Sequence, residues 1–353
     1  MEHFYNIHGF IGVKIVSRSP SLIAGYDNYL RWFKTDLPPA QIHYEICDFV
    51  DFELPNHFKT GSSYIGFENG IYLPREKYAI VFDGQKIIEY TTFANRATNF
   101  LIQLLLLRMG KSFIHGLGVE VQGRGFIFPA LGGVGKTILV SKLRKMKGFK
   151  FFGDDYIIID KNSNMFSYPS DFSIYPYHIP IFPELKHTIF SNYLFKRKLF
   201  GLYYNSKKAI NFIWRRISQR GVPLLNGWNA DYVKVPVTQL VSDKNIGRQT
   251  KLTTAIFLDR YNDDKICAKK MLADELTQLI DGILWLESQH ALPFLSALAA
   301  FGLIDLSNFA TDQHDVLKNC LADLKRFRVS IPQKIGIESY IDYMIQFIQK
   351  TIK

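Results

Sequence analysis

The octapeptide Ala130-Leu131-Gly132-Gly133-Val134-Gly135-Lys136-Thr137 constrains this chain more than any other feature. Glycines ahead of a lysine and a hydroxyl let successive backbone N–H groups converge on one anion. The lysine adds a point charge, and the hydroxyl can serve a divalent cation. Such a loop works between a strand and a helix, where the positive end of the helix dipole reinforces the same field. The flanks read that way, with Phe126-Ile127-Phe128 as a strand and Thr137 to Met146 as a helix stopped by Gly148. The loop therefore predicts a bound nucleoside triphosphate cradled by Leu131, Gly132, Gly133, Val134, Gly135, Lys136, Thr137 and Ile138. Lys136 is expected on the β- and γ-phosphates and Thr137 on Mg²⁺. Ala130 stands where the pattern usually has glycine, a change that removes no donor.

A phosphate loop supplies only positive groups, so phosphoryl transfer needs carboxylates nearby to hold the metal and to take the proton of the attacking hydroxyl. Asp154-Asp155, at the end of the apolar run Phe149 to Phe152, is the evident source. One of the pair can contact the ion and the other act as base; paired aspartates are also common turn residues. Upstream, Phe113 to Val121 reads as a strand, and Gln122-Gly123-Arg124-Gly125 as a hairpin turn. His115 lies on that strand, where an isolated histidine is as often a satisfied core residue as a functional one.

The run from Phe113 to Gly125, the loop ending in Lys136-Thr137 and the sequence Phe152-Gly153-Asp154-Asp155 together resemble the catalytic core of HPr kinase/phosphorylase and its relatives. The resemblance covers Phe113 to Asp160. It implies a phosphoenolpyruvate-carboxykinase-like P-loop fold, α/β with a mixed sheet, and an ATP- and Mg²⁺-dependent kinase acting on an alcohol group. It places His115 near the transferred phosphate, Asp154 or Asp155 as base, Lys136 on ATP, and Thr137 with Asp155 on the metal. The signature that follows the aspartates in that family has no clear counterpart, and Arg248 and Arg260 are candidates for it only by position. The acceptor is accordingly an unspecified hydroxyl of a protein, peptide or metabolite. A non-catalytic nucleotide-binding regulator is the alternative.

The chain has 353 residues, enough for two domains, and its 47% hydrophobic and 15% aromatic content is that of a folded protein. Short apolar runs broken by turn residues predict a β-rich N-terminal domain over 1–92 for substrate or partner recognition. The kinase core is expected over 93–310 and a helical segment over 311–353, with helical patterns dominant from Met271 onward. Within the core, Phe100 to Met109 reads as a buried helix too short to span a bilayer, Tyr168 to Pro183 as an irregular wall, and Thr253 to Asp259 as a buried strand. With no export signal and with Cys47, Cys267 and Cys320 far apart, we expect buried thiols in the cytoplasm.

The formal charge of +11 is concentrated in an insertion at about 185–230, which lacks Asp and Glu but holds Lys186, Lys196, Arg197, Lys198, Lys207, Lys208, Arg215, Arg216 and Arg220. It can be a solvated helical face, a surface for a phosphorylated or otherwise anionic acceptor, or a nucleic-acid or membrane surface. No strong nucleic-acid signal accompanies it, and oligomeric state is left open.

Overall fold

The computed structural model describes the chain apart from residues 62, 95, 96, 176, 177, 179, 186–231 and 353. The basic insertion from Lys186 to Arg220, with the surface roles considered for it, lies outside the described residues. What is described is a mixed α/β protein with two large mixed sheets and seven α-helices among the described residues.

The N-terminal part is a nine-stranded sheet. Its strands are β1 (Glu2–Ile7), β2 (Ile11–Val16), β3 (Lys34–Thr35), β4 (Tyr44–Asp48), β5 (Phe58–Thr60), β6 (Ile65–Phe67), β7 (Gly70–Leu73), β8 (Tyr78–Asp83) and β9 (Lys86–Thr91). They lie in the order β3-β1-β2-β4-β9-β8-β7-β6-β5. Strand β2 runs parallel to β4, and a parallel pair needs a crossover. Helix α1 (Pro20–Leu30) provides it, begun by the Ser19 side chain accepting from the Leu22 N–H and by Pro20 in its first turn. Tyr5, Ile7, Val13 and Ile15 point inward at the period of a pleated strand and are fully buried.

This sheet buries a carboxylate. Glu89 on β9 is inaccessible to solvent, and its Oε2 accepts from the Tyr26 hydroxyl of α1 at 3.0 Å and from the Tyr44 hydroxyl of β4. Burial raises its pKa above the usual carboxylate value, against the pull of the hydroxyl donors. The folded state thus holds this proton more tightly than the unfolded chain. Its contribution to stability is complete below the unfolded pKa and is lost as pH rises through the folded one. Glu89→Gln, which keeps the acceptor oxygen without the charge, is expected to raise the melting temperature at pH 8 and to have a diminishing effect towards pH 4. Thermal melts of the two proteins across that range check it.

Helix α2 (Thr98–Arg108) is apolar nearly all round and almost entirely buried, as the stretch Phe100 to Met109 predicts. It leads into the second sheet, of eight strands: β10 (Lys111–Val121), β11 (Arg124–Pro129), β12 (Lys150–Gly153), β13 (Tyr156–Asp160), β14 (Asn164–Phe166), β17 (Gln249–Tyr261), β18 (Cys267–Lys270) and β19 (Lys325–Pro332). Strand β11 is antiparallel to β10 and parallel to β17, and β14 also pairs β17, so the sheet closes on itself. A separate ribbon pairs β15 (Phe172–Ile174), inside the segment expected to be irregular, with β16 (Val233–Val235). The β10–β11 turn is Gln122-Gly123, with φ of 52° and 75°, the mirror-image turn that matches hairpin twist. It ends two residues earlier than the sequence suggests, and Arg124 belongs to the strand.

The remaining helices are α3 (Lys136–Leu143), α4 (Ala273–Glu287), α5 (Leu292–Ala300), α6 (Leu306–Leu321) and α7 (Ile337–Ile352). Residues 311–353, read as helical, contain a strand. Strand β19 pairs parallel with β17 and antiparallel with β18, and α7 packs on α3. Charged Lys325, Arg326 and Arg328 at the start of β19 mask the buried alternation of Val329 and Ile331. One core cluster joins the N-terminal sheet to α2, β13 and helices α4 to α6, and a second fills the space between α3, α7 and the eight-stranded sheet. Cys320 is buried and Cys47 half-buried, but Cys267 is exposed on the edge strand β18, contrary to the expectation of buried thiols throughout. Among the described residues no helix is long and apolar enough to cross a membrane.

Candidate active site

Strand β10 assembles the site because it is paired on both sides. On one side Gly116 lies opposite Pro129, the last residue before the glycine loop. On the other side Gly118 faces Gly153 and His115 faces Tyr156, so Asp154-Asp155 bulges out opposite Gly116 and Leu117. The bulge is closed by a hydrogen bond from the Gly116 N–H to the Asp155 carbonyl at 3.0 Å. Glycine is needed at 116, since a Cβ there would come within 2.6 Å of the Phe128 carbonyl oxygen. A single strand position thus brings together a histidine, the start of the loop and the aspartate pair, which are separated in sequence.

The loop itself turns from β11 into α3. Gly133 and Gly135 hold φ of 77° and 110°, values costly for residues with a side chain. A Cβ at Gly132 or Gly133 would meet nothing within 4 Å, so the concave face of the loop is open space. Gly135, the N-cap of α3, is braced from behind by Tyr340 of α7, whose hydroxyl donates to the Gly135 carbonyl at 3.4 Å. Gly135→Ala would both strain φ and bring a Cβ to 2.9 Å from Tyr340 Cε1. Backbone strain of this kind costs about 1–3 kcal/mol. We expect nucleotide affinity to fall by about tenfold or more, as calorimetric titration would show.

Lys136 is 8% exposed, and its ammonium bonds back to the Ala130 and Leu131 carbonyls at 2.9 and 3.0 Å. Burial lowers its pKa, and the charges of Asp154 and Asp155 oppose that shift. Thr137 donates its hydroxyl to Asp154 Oδ2 at 2.6 Å, so it is Asp154 rather than Asp155 that stands against the hydroxyl at the head of α3. Asp154 is 6% exposed, and its second oxygen, Oδ1, has no hydrogen-bond partner. Burial, with the charge of Asp155 added, pushes its carboxyl up to about 6. Asp155 is less buried and accepts from the Ser170 hydroxyl at 3.2 Å. His115 is 7% exposed, with its ring edge-on to Tyr156 and Nδ1 without a hydrogen-bond partner. Burial and the neighbouring Lys136 charge pull its pKa down to about 4, so the imidazole is neutral at pH 7.

These groups line one cleft of about 180 Å³ with Gly132, Gly133, Gly135, Ser173, Tyr175, His178 and Glu287. Drug-sized ligands usually occupy roughly 300–1,000 Å³, so the cleft has room for the phosphate end of a nucleotide. Of the residues expected at the site, His115, Gly132, Gly133, Gly135, Lys136, Thr137, Asp154 and Asp155 come together here. Leu131 is 43% exposed outside the lining, while Val134 and Ile138 point into the core behind the loop and can offer a ligand only backbone groups. Arg248 and Arg260 do not line the cleft.

Ser170, Ser173, Tyr175, His178 and Glu287 escape sequence reasoning because no local motif carries them. The aromatic, proline-rich stretch from Tyr168 is the only signal for the first four, and it reads as a wall; Glu287 closes a distant helix. Burial pulls His178 down to about 4, and its Nδ1 accepts from the Tyr175 N–H at 3.2 Å. The N-terminal sheet buttresses this wall. Arg31 pairs with Asp171 at 2.6 Å, Phe33 stacks on Tyr168, and His8 Nε2 lies 2.6 Å from the Ser167 carbonyl oxygen.

No protein-family model matches the chain, and no curated protein matches its sequence. Among the described residues no group of three or more His, Cys, Asp or Glu side chains is gathered as a metal site. Mg²⁺ at phosphates takes only one or two protein carboxylates and draws its other ligands from water and phosphate. Thr137 and Asp154, with the unpartnered Asp154 Oδ1, fit that requirement.

Proposed function

We propose that this chain is a cytoplasmic kinase that transfers the γ-phosphoryl group of ATP, with Mg²⁺, to a hydroxyl acceptor, using an HPr-kinase-like P-loop core of the phosphoenolpyruvate-carboxykinase type. The observation that carries the proposal is the hydrogen bond from Thr137 to Asp154, which joins the head of the loop helix to the aspartate pair. A glycine-rich turn of no function has no reason to bury a carboxylate with an unpartnered oxygen beside the loop threonine. The hairpin before the loop, and a loop strand flanked by one antiparallel and one parallel neighbour, support the carboxykinase-like topology over an all-parallel core.

Each residue then has a defined task. The N–H groups of Gly132 to Thr137 receive the phosphates at the positive end of α3. Lys136 exchanges its two loop carbonyls for β- and γ-phosphate oxygens. Thr137 and Asp154 would hold the metal, which when bound would supply charge neutralisation for the transfer. Asp155, oriented by Ser170, accepts the proton of the acceptor hydroxyl as its oxygen attacks. Neutral His115 lies beside Lys136 with its ring bonded to the Ala130 backbone, where it shapes the wall of the phosphate site without adding a charge that would repel the lysine.

The reading is tested by incubating the purified chain with γ-labelled ATP, Mg²⁺ and a lysate split into protein and metabolite fractions. We expect label in one fraction, suppressed by chelation of the metal. Tight ATP binding with no transfer in either fraction would favour the regulatory alternative.

A further inference from the structure

The wall of the cleft opposite the phosphate loop has a charge that the phosphotransfer reading does not use. Among the described residues Asp154, Asp155 and Glu287 line the cleft against one cation, Lys136, while His115 and His178 are neutral at pH 7. On the proposed reading the phosphates take Lys136 and the metal takes Asp154, which leaves Asp155 and Glu287 as the other carboxylates of the cleft lining. Glu287 makes no hydrogen bond or ion pair among the described residues.

Its charge supports that of Lys136, but the helix end it occupies does not favour an acid. Glu287 is the last residue of α4, a helix of 15 residues with no basic side chain in its final turn. The negative end of a helix dipole favours cations, so an acid there adds like charge to like. Local rules are broken in this way where function requires it. A second observation shows that the same cleft is built for a ligand: His115, 7% exposed, keeps Nδ1 without a partner in it.

We infer that the acceptor is a cationic alcohol, a hydroxyl carried close to an ammonium or guanidinium group, with the positive charge seated against Glu287 and the hydroxyl at Asp155. The inference rests on the kinase reading of this cleft and runs opposite to the anionic acceptor that the basic insertion suggests. In the reaction the acceptor oxygen bonds to the γ-phosphorus as the bond to the β–γ bridging oxygen breaks. The electron pair leaves with ADP, and the hydroxyl proton passes to Asp155 and on to water. Two sources share this chemistry, a small amino alcohol and a seryl peptide with flanking Lys or Arg.

The test uses the full chain with Mg²⁺ and γ-labelled ATP in two arms. One holds small amino alcohols and their N-acetylated counterparts. The other holds seryl peptides of equal length whose neighbouring residues are Lys or Arg, Gln, or Glu. In the arm containing the true source, cationic members are expected to show a KM lower than their neutral counterparts by about tenfold or more, the scale of one partly buried charge pair. In Glu287→Gln that cationic-to-neutral ratio is expected to move towards one, and in Glu287→Lys the peptide preference to move towards Glu. Equal or better labelling of neutral or acidic members would overturn the inference while leaving the kinase reading intact. So would an unchanged ratio in Glu287→Gln, or bound ATP with no member of either arm labelled. Absence of ATP binding would instead remove the kinase reading itself.

Discussion

Lys136→Ala is expected to lower kcat/KM for ATP by on the order of 10³-fold or more, the scale of removing a charge that stabilises a transferring phosphoryl group. Lys136 is the one cation lining the cleft among the described residues. Without it the phosphates would face three carboxylates and the Ala130 and Leu131 carbonyls, with only backbone N–H groups in compensation. The fold should tolerate the loss, because burial already disfavours the charged amine. Calorimetric titration with ATP and Mg²⁺, alongside a thermal melt, separates the two effects. A folded Lys136→Ala protein that binds ATP as tightly as the parent would sink the role given to the loop.

Asp155→Asn is the second large effect. An amide cannot take the acceptor proton, and loss of a positioned base costs about 10²–10⁴-fold in turnover. Nucleotide affinity should change far less, since Asp155 bonds Ser170 and not Thr137. Asp154→Asn should do the reverse and weaken Mg²⁺-dependent nucleotide binding first. Single-turnover assays and titrations of both variants would distinguish these outcomes. Equal losses in both would show that the two aspartates do not divide the work.

The loop was legible because its chemistry is local: glycines that must reach positive φ, then Lys136 and Thr137, all within one turn of chain. The hairpin and the strand to Asp160 were legible for the same reason. The division between Asp154 and Asp155 was not, because adjacent residues differ only in where a bulge against Gly116 directs them. Ser173, Tyr175, His178 and Glu287 carry no spacing at all; pairing of β15 with β16 and the end of α4 bring them in. Helix α1 was hidden in a region of short apolar runs, although Ser19 and Pro20 are a usable start signal. Strand β19 was lost to the charges at its start, and with it the integration of the last forty or so residues into the eight-stranded sheet.

That integration has a thermodynamic consequence. The residue that fixes the backbone of Gly135 is Tyr340, 205 positions further along the chain. A loop shape required for binding is thus conditional on a distant helix being folded and docked. Linkage makes the condition mutual, since whatever favours the occupied loop must favour the docked helix by the same free energy. On the proposed reading, occupancy of the loop would in this sense be registered at α7. Damage there would present as a nucleotide-binding defect with every residue of the glycine loop intact.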